Sequence, residues 1–214
     1  HLNFWKGELK IQQDVITSNN INEILNDHCD FNIDLFSIDI DSVDYWVISK
    51  LKSNISKIFI AEFNPIFGPD LEVTVPNIDG FKRNEYHYSN LCYGMSLRAL
   101  INLMNKKNYY FLGTNIQKMN AFFISKDFAK ENFFSKIEIK DYSEYTNSNI
   151  RESRDKKNNL NYLSGVDKIK EIESCEVVNL KDNVHKIEKL KNLLWKFLLI
   201  TQYSGNNPTV LFPI

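Results

Sequence analysis

The stretch from 34 to 44 (Asp-Leu-Phe-Ser-Ile-Asp-Ile-Asp-Ser-Val-Asp) constrains the fold most, because an apolar run gives way to carboxylates and then to a helical pattern. A run with few charged or turn residues is typical of a strand that is buried on both faces of a parallel sheet. Side chains alternate along a strand, so Asp39 and Asp41 are predicted to share one face of its carboxyl end, where open α/β sheets bind ligands. The simpler alternative is that Asp41 or Ser42 only caps the following helix.

A second strand with polar residues at its end follows after one helix. Residues 42–51 place apolar side chains on one helical stripe, and the buried-strand pattern at 58–61 ends in Glu62-Phe63-Asn64. Strand, helix and strand in about 30 residues form a βαβ unit with parallel strands and a right-handed crossover. Neighbouring strands lie about 4.8 Å apart. We therefore expect Asp39, Asp41, Glu62 and Asn64 to meet in one crevice, as the candidate catalytic residues.

Three carboxylates in one crevice would repel one another and raise one another's pKa unless something compensates them. A cation, a substrate amine or hydroxyl, or hydrogen bonds from helix N-termini would each do so. Oxygen ligands suit Mg²⁺, Ca²⁺ or Mn²⁺, so Asp39, Asp41 and Glu62 are candidate metal ligands. A carboxylate with a raised pKa is also a candidate general base toward a hydroxyl.

Residues 64–93 interrupt the alternation of strands and helices with proline and glycine, and their last part is aromatic. A long irregular insertion directly after a strand is more typical of an active-site cover than of a connection. His87 and Tyr93 in this insertion are the candidate substrate-binding residues. No arrangement of serine, cysteine and histidine supports a hydrolase triad.

The rest of the chain alternates between strand and helix patterns. We predict strands at 9–16, 109–112 and 121–124 and helices from 21, over 96–106 and over 163–172, with the last two strands pairing antiparallel. An amphipathic helix is predicted over 184–200. Docking on the domain, a homo-oligomer contact and a membrane surface remain open for its apolar face. Residues 1–126 are predicted to form the main domain and 127–214 a C-terminal helical extension.

Composition excludes several classes of protein. The chain has 214 residues, 43% of them hydrophobic, and a net charge of -1, which suits one compact domain with appendages and gives no basic excess for nucleic acid. No apolar run approaches the roughly 18–20 residues of a membrane span, and no signal-peptide pattern is present. Cys29, Cys92 and Cys175 are far apart in the chain, so we expect free thiols and a cytoplasmic location.

Several segments resemble the C-terminal half of FkbM-type methyltransferase-like proteins, which are similar to class I S-adenosylmethionine-dependent enzymes. They are FNIDLFSIDIDSVDYWVISKL (31–51), IFIAEFNPIFGP (58–69), YGMSLRAL (93–100) and NAFFISKD (120–127). TSNNINEIL (17–25) and residues 151–172 resemble segments of uncharacterised bacterial relatives.

This resemblance implies a Rossmann-like doubly wound sheet, mostly parallel with an antiparallel last strand. It implies methyl transfer from S-adenosylmethionine to a hydroxyl of a small molecule or sugar. Asp39 and Asp41 would then lie at the end of the family's fourth strand, beside donor and acceptor. Ile16 and Thr17 would border the adenine, so Ile16, Thr17 and Asp39 are the candidate cofactor-binding residues.

The family's glycine-rich donor-binding turn has no counterpart here, since none of the seven glycines forms a G-x-G pair. We therefore expect the first strands of the fold to lie upstream of His1. Two further hypotheses remain open. One is a truncated, non-catalytic domain that acts as a binding or scaffolding module. The other is a glycosyltransferase whose Asp39-Ile40-Asp41 holds Mn²⁺ against a nucleotide sugar.

Overall fold

The computed structural model of this protein describes residues 10–28, 33–132, 138–148 and 152–194. Within these ranges the helices are α1 (Ile21–His28), α2 (Asp44–Lys50), α3 (Arg83–Tyr86), α4 (Leu97–Lys106), α5 (Lys126–Glu131), α6 (Ser143–Thr146) and α7 (Val166–Glu171). The strands are β1 (Ile33–Ile38), β2 (Ser56–Glu62), β3 (Val73–Thr74), β4 (Tyr109–Thr114), β5 (Asn120–Ser125), β6 (Glu176–Asn179) and β7 (Lys186–Lys189).

The larger sheet contains four strands in the spatial order β1-β2-β5-β4. β1 and β2 are parallel and are connected through α2, which confirms the predicted βαβ unit. β5 is antiparallel to both β2 and β4, so β4 runs in the same direction as β1 and β2. The fold is therefore α/β with a mixed sheet, and the antiparallel orientation predicted for the sheet's last strand is confirmed.

The central strands are held in place by a buried aromatic cluster. Phe59 and Phe123 are fully buried, and Phe59 packs edge-to-face on Tyr109 at 5.7 Å between ring centroids. The Tyr109 hydroxyl donates to the Ser56 carbonyl and accepts from the Ser56 backbone N–H, both at 2.8 Å. Each buried side chain of this size stabilises the fold by about 1.5–3 kcal/mol. This packing fixes β2, which carries Glu62 at its end.

The helix after the insertion and the following hairpin form nearly where predicted. Ser96 caps α4, since its Oγ accepts a hydrogen bond from the Ala99 N–H at 3.3 Å. The strand predicted at 109–112 is longer in the structure, because β4 continues to Thr114. Asn115 closes the turn, and its Oδ1 accepts from the Met119 N–H at 3.0 Å.

Two predictions for the first part of the chain are wrong. Residues 10–16 form no regular secondary structure, and Ile11 and Val15 are exposed to solvent. β1 is the edge strand of the described sheet and is not buried on both faces, since Leu35 is 56% exposed. The apolar run indicates a strand correctly but does not reveal how many neighbours it has.

A second sheet joins the insertion to the C-terminal part of the chain, in the order β3-β6-β7 with antiparallel pairing. The helix predicted over 184–200 is wrong at its start, because residues 186–189 form β7. Residues 190–194 are helical, and 195–200 lie outside the described residues. β6 offers an edge for pairing that outweighs the helical pattern. The domain boundary at 126/127 stays a prediction.

In the described part of the chain, no helix combines the length and the apolar character needed to cross a bilayer.

Candidate functional site

Asp39 and Asp41 lie in the turn between β1 and α2, just beyond the end of the strand. β1 ends at Ile38, whose register partner in β2 is Ala61. Asp39 therefore follows at the level of Glu62, the last residue of β2. The two parallel strands deliver their carboxyl ends to the same edge of the sheet, as predicted.

The buried carboxylate of Asp44 shapes this turn. Its Oδ1 accepts from the Ile40 N–H at 3.1 Å and its Oδ2 from the Ser42 N–H at 3.0 Å. Burial raises the pKa of Asp44, while these backbone hydrogen bonds lower it. Asp41 has φ +52°, a left-handed conformation that aspartate tolerates. The predicted cap by Asp41 or Ser42 is wrong, because the N-cap position is Val43 and has no side-chain hydrogen bond.

Glu62 is buried and incompletely bonded. It is 5% exposed, and its Oε2 has no hydrogen-bond partner among the described residues. Burial, with further contributions from Asp39, Asp41 and Asp44, raises the pKa of Glu62 to about 9. Glu62 therefore holds a proton at neutral pH in the absence of a cation. Leaving a buried oxygen without a partner costs about 1–3 kcal/mol.

Asp39, Asp41 and Glu62 form a cluster in which one carboxylate oxygen from each lies within 4.8 Å of the others. Burial is the main cause of a raised pKa at Asp39, followed by the charge of Asp41. Oxygen ligands bind Mg²⁺ or Ca²⁺ at about 2.0–2.6 Å, so ligands on opposite sides of an ion are about 4–5 Å apart. The spacing, the hard oxygen donors and the unpartnered Glu62 oxygen all fit a divalent cation.

Arg83, which the sequence analysis missed, supplies a positive charge at this cluster. Its Nη1 donates to Asp41 Oδ1 at 2.6 Å, and its guanidinium lies 5.3 Å from the Tyr93 ring centroid. Both residues belong to the insertion at 64–93, so this insertion contacts the end of β1. Its role as an active-site cover stays a prediction. Arg83 is the only arginine in the insertion, and that was the one signal available in the sequence.

Asn64 is fully buried, and its side chain forms hydrogen bonds with backbone groups near the cluster. Its Nδ2 donates to the carbonyls of Leu91 and Tyr93 at 2.8 and 3.0 Å, and its Oδ1 accepts from the Ile66 N–H at 3.0 Å. The amide therefore holds the end of the insertion against β2. Burial raises the pKa of the Tyr93 hydroxyl well above its usual range, with Glu62 contributing next. Tyr93 lies beside the cluster, as a candidate substrate residue should.

His87 has different neighbours. Its Nδ1 lies 2.7 Å from Ser89 Oγ, and its ring centroid lies 4.3 Å from that of Tyr88. Burial lowers the pKa of His87, and the charged groups that affect it are Glu171 and Lys156. None of its described contacts reaches the carboxylates, so a role in substrate binding stays a prediction.

Thr17 has a local structural role at the start of α1. Its Oγ1 accepts from the Asn20 N–H at 3.3 Å, and Asn20 Oδ1 accepts from the Thr17 N–H at 2.7 Å. Ile16 is partly buried against the core. No described contact joins Ile16 or Thr17 to Asp39, and their part in cofactor binding stays a prediction.

Comparisons with known protein families, with curated proteins and with solved structures found no match for this chain. The proposals that follow therefore depend on the geometry described above and on the residues that suggested the resemblance.

Proposed function

We propose that this chain is a methyltransferase-type α/β domain that transfers a methyl group to a hydroxyl of a sugar or other small molecule. Asp39, Asp41 and Glu62 bind a divalent cation where the acceptor sits. The observation that carries the proposal is the convergence of these carboxylates at the carboxyl ends of two parallel strands, with the buried Glu62 Oε2 unpartnered. S-adenosylmethionine is the methyl donor that the proposal requires.

The sheet supports the proposal at the level of the fold. The resemblance implies a Rossmann-like doubly wound sheet with an antiparallel last strand. The described sheet has a parallel β1–β2 pair and an antiparallel β5. Open α/β sheets bind their ligands at the carboxyl ends of parallel strands, which is where Asp39 and Glu62 lie.

The chain's residues contribute mainly by positioning and by proton transfer. Asp39 is exposed, so it is the carboxylate suited to orient an acceptor hydroxyl and to take its proton. A bound divalent cation would stabilise the negative charge that develops on the acceptor oxygen. Asn64 holds the backbone of Leu91 and Tyr93 and so fixes the wall of the site. Alignment of donor and acceptor supplies most of the rate in such a transfer.

Two measurements test the proposal. Calorimetry with S-adenosylmethionine is expected to show binding. Transfer of labelled methyl to a panel of sugars and small hydroxyl compounds with Mn²⁺ is expected to fall at least about 100-fold in Asp39→Asn, the loss typical of a missing general base. Glu131→Gln, an exposed carboxylate in α5, is the matched control. No donor binding and no transfer would reject the proposal.

The glycosyltransferase hypothesis is favoured by one observation, the presence of both Asp39 and Asp41 in the cation cluster. Thermal stabilisation by a nucleotide sugar only in the presence of Mn²⁺ would support it over methyl transfer. A folded protein without response to either donor would instead support the binding or scaffolding role.

A further inference from the structure

A cavity opens beside the carboxylates, and Arg83 belongs to both. Residues from the 3-10 turn after β2, from α3, from the end of the insertion and from α7 line it. The lining residues include Ile66, Arg83, Asn90, Tyr93, Glu152 and Lys168. We call it the Arg83 cavity.

The Arg83 guanidinium lies near one carboxylate of the cation cluster and one carboxylate of the cavity lining. Its Nη1 forms the ion pair with Asp41 Oδ1 at 2.6 Å, while its Nη2 lies 4.0 Å from Glu152 Oε1. Its side chain is 27% exposed. Arginine stays protonated and has five donors, so a guanidinium released by one carboxylate remains a strong binder for another anion.

The polar groups of the Arg83 cavity indicate the chemistry of a ligand that would bind there. Asn90 Oδ1 is buried and, within the described residues, has no hydrogen-bond partner. An amide oxygen in that position is satisfied by a hydroxyl or N–H of a ligand. Lys168 is buried and also lines the cavity. Ile66 and Tyr93 provide carbon surface beside these groups.

We infer that the Arg83 cavity, whose volume is about 40 Å³, receives the anionic group of a hydroxylated acceptor, a sugar that carries a carboxylate or a phosphate. The anionic group pairs with Arg83, and a hydroxyl donates to Asn90 Oδ1. Arg83 couples this cavity to the cation site. The inference rests on the proposed cation site and identifies the substrate class of the proposed transfer.

The coupling follows from competition for Asp41. A divalent cation and the Arg83 guanidinium are alternative partners for the same carboxylate. When the cation binds, Arg83 loses its pairing with Asp41, and its guanidinium, which lies 4.0 Å from Glu152 Oε1, is then shared between that carboxylate and an anion in the cavity. Cation and anionic acceptor therefore favour each other's binding, and the coupling is reciprocal.

The first experiment measures Mn²⁺ affinity by calorimetry in the wild type, Arg83→Gln and Arg83→Lys. Removing the competing charge is expected to tighten Mn²⁺ binding about five- to tenfold in Arg83→Gln, while Arg83→Lys stays near the wild type. Lys82→Gln is the matched control, because it removes the same charge from an exposed neighbour that pairs only with Glu85 among its described contacts. Unchanged or weaker Mn²⁺ binding in a folded Arg83→Gln would overturn the inference.

The second experiment titrates glucuronate, glucose 6-phosphate and glucose with and without Mn²⁺. We expect one of the two anionic sugars to bind at least about fivefold tighter when Mn²⁺ is present, with no such gain in Arg83→Gln. The two anions distinguish a carboxylate from a phosphate ligand. Equal binding of neutral glucose, or a gain that survives in Arg83→Gln, would overturn the inference. No Mn²⁺ binding by the wild type would instead reject the cation site itself, so the two failures are distinguishable.

Discussion

A carboxylate oxygen of Glu62 lies within 4.8 Å of a carboxylate oxygen of Asp39, although Glu62 is buried and Asp39 is exposed. These groups follow the first and the second strand of a βαβ unit, whose parallel pairing brings them to the same edge of the sheet. Burial is the largest cause of the raised pKa of Glu62, which therefore keeps its proton at neutral pH. We propose that the cluster exchanges this proton for a cation.

Glu62 is expected to make the cation-free protein less stable as the pH rises. Its pKa is about 9 when folded and about 4.5 in an unfolded chain, so between these values the folded state holds the extra proton. The contribution of Glu62 to the free energy of unfolding should be greatest below about pH 4.5. It should fall by on the order of 1 kcal/mol per pH unit up to about pH 9.

Urea unfolding at pH 5, 7 and 9 with a chelator present measures this slope. Glu62→Gln cannot ionise and should show a much smaller slope, while Glu131→Gln should follow the wild type. Equal slopes in the wild type and Glu62→Gln would show that Glu62 is ionised in the folded protein.

Asp44→Asn should loosen the turn that carries Asp39 and Asp41. An amide offers one acceptor oxygen where two backbone N–H groups need one each. We expect a loss of about 1–3 kcal/mol in the free energy of unfolding, with weaker Mn²⁺ binding. Asp34→Asn, which removes an exposed carboxylate paired with Lys57, is the control and should cost less than about 1 kcal/mol. An Asp44→Asn protein as stable as this control would contradict the role given to Asp44.

Asn64→Ala should detach the end of the insertion from β2. The substitution removes three hydrogen bonds, two of them buried, and leaves the Leu91 and Tyr93 carbonyls without their donor. A destabilisation of about 2–4 kcal/mol is expected in chemical unfolding, since buried polar groups lose their partners. Asn132→Ala removes one exposed hydrogen bond and serves for comparison. Unfolding curves that coincide for the two variants would mean that Asn64 does not hold the insertion.

The sequence predicts the part of the fold in which local pattern and chain order agree. The apolar runs before Asp39 and Glu62, separated by one helical stripe, are sufficient to predict β1, α2, β2 and the meeting of their carboxylates. Arg83 could not be placed in the same way, because it reaches Asp41 from 42 residues away through an irregular segment. No periodicity describes such a contact.

Partners decide the structure where the local pattern is ambiguous. Residues 186–189 match a helical stripe, yet they pair with β6 because its edge is available. The hydrogen bonds of Asn64 go to backbone groups that follow it by 2 to 29 residues, and no local pattern indicates them. The sequence does not reveal which groups become neighbours across long separations.

We propose that Asp39, Asp41 and Glu62 exchange a proton for a divalent cation. Titration of Mn²⁺ at pH 7 in two buffers of different ionisation enthalpy measures affinity and proton release together. Because Glu62 is protonated at this pH, we expect release of about one proton per bound ion, lost together with tight binding in Glu62→Gln. Absence of Mn²⁺ binding, or binding of equal affinity without Glu62, would contradict it.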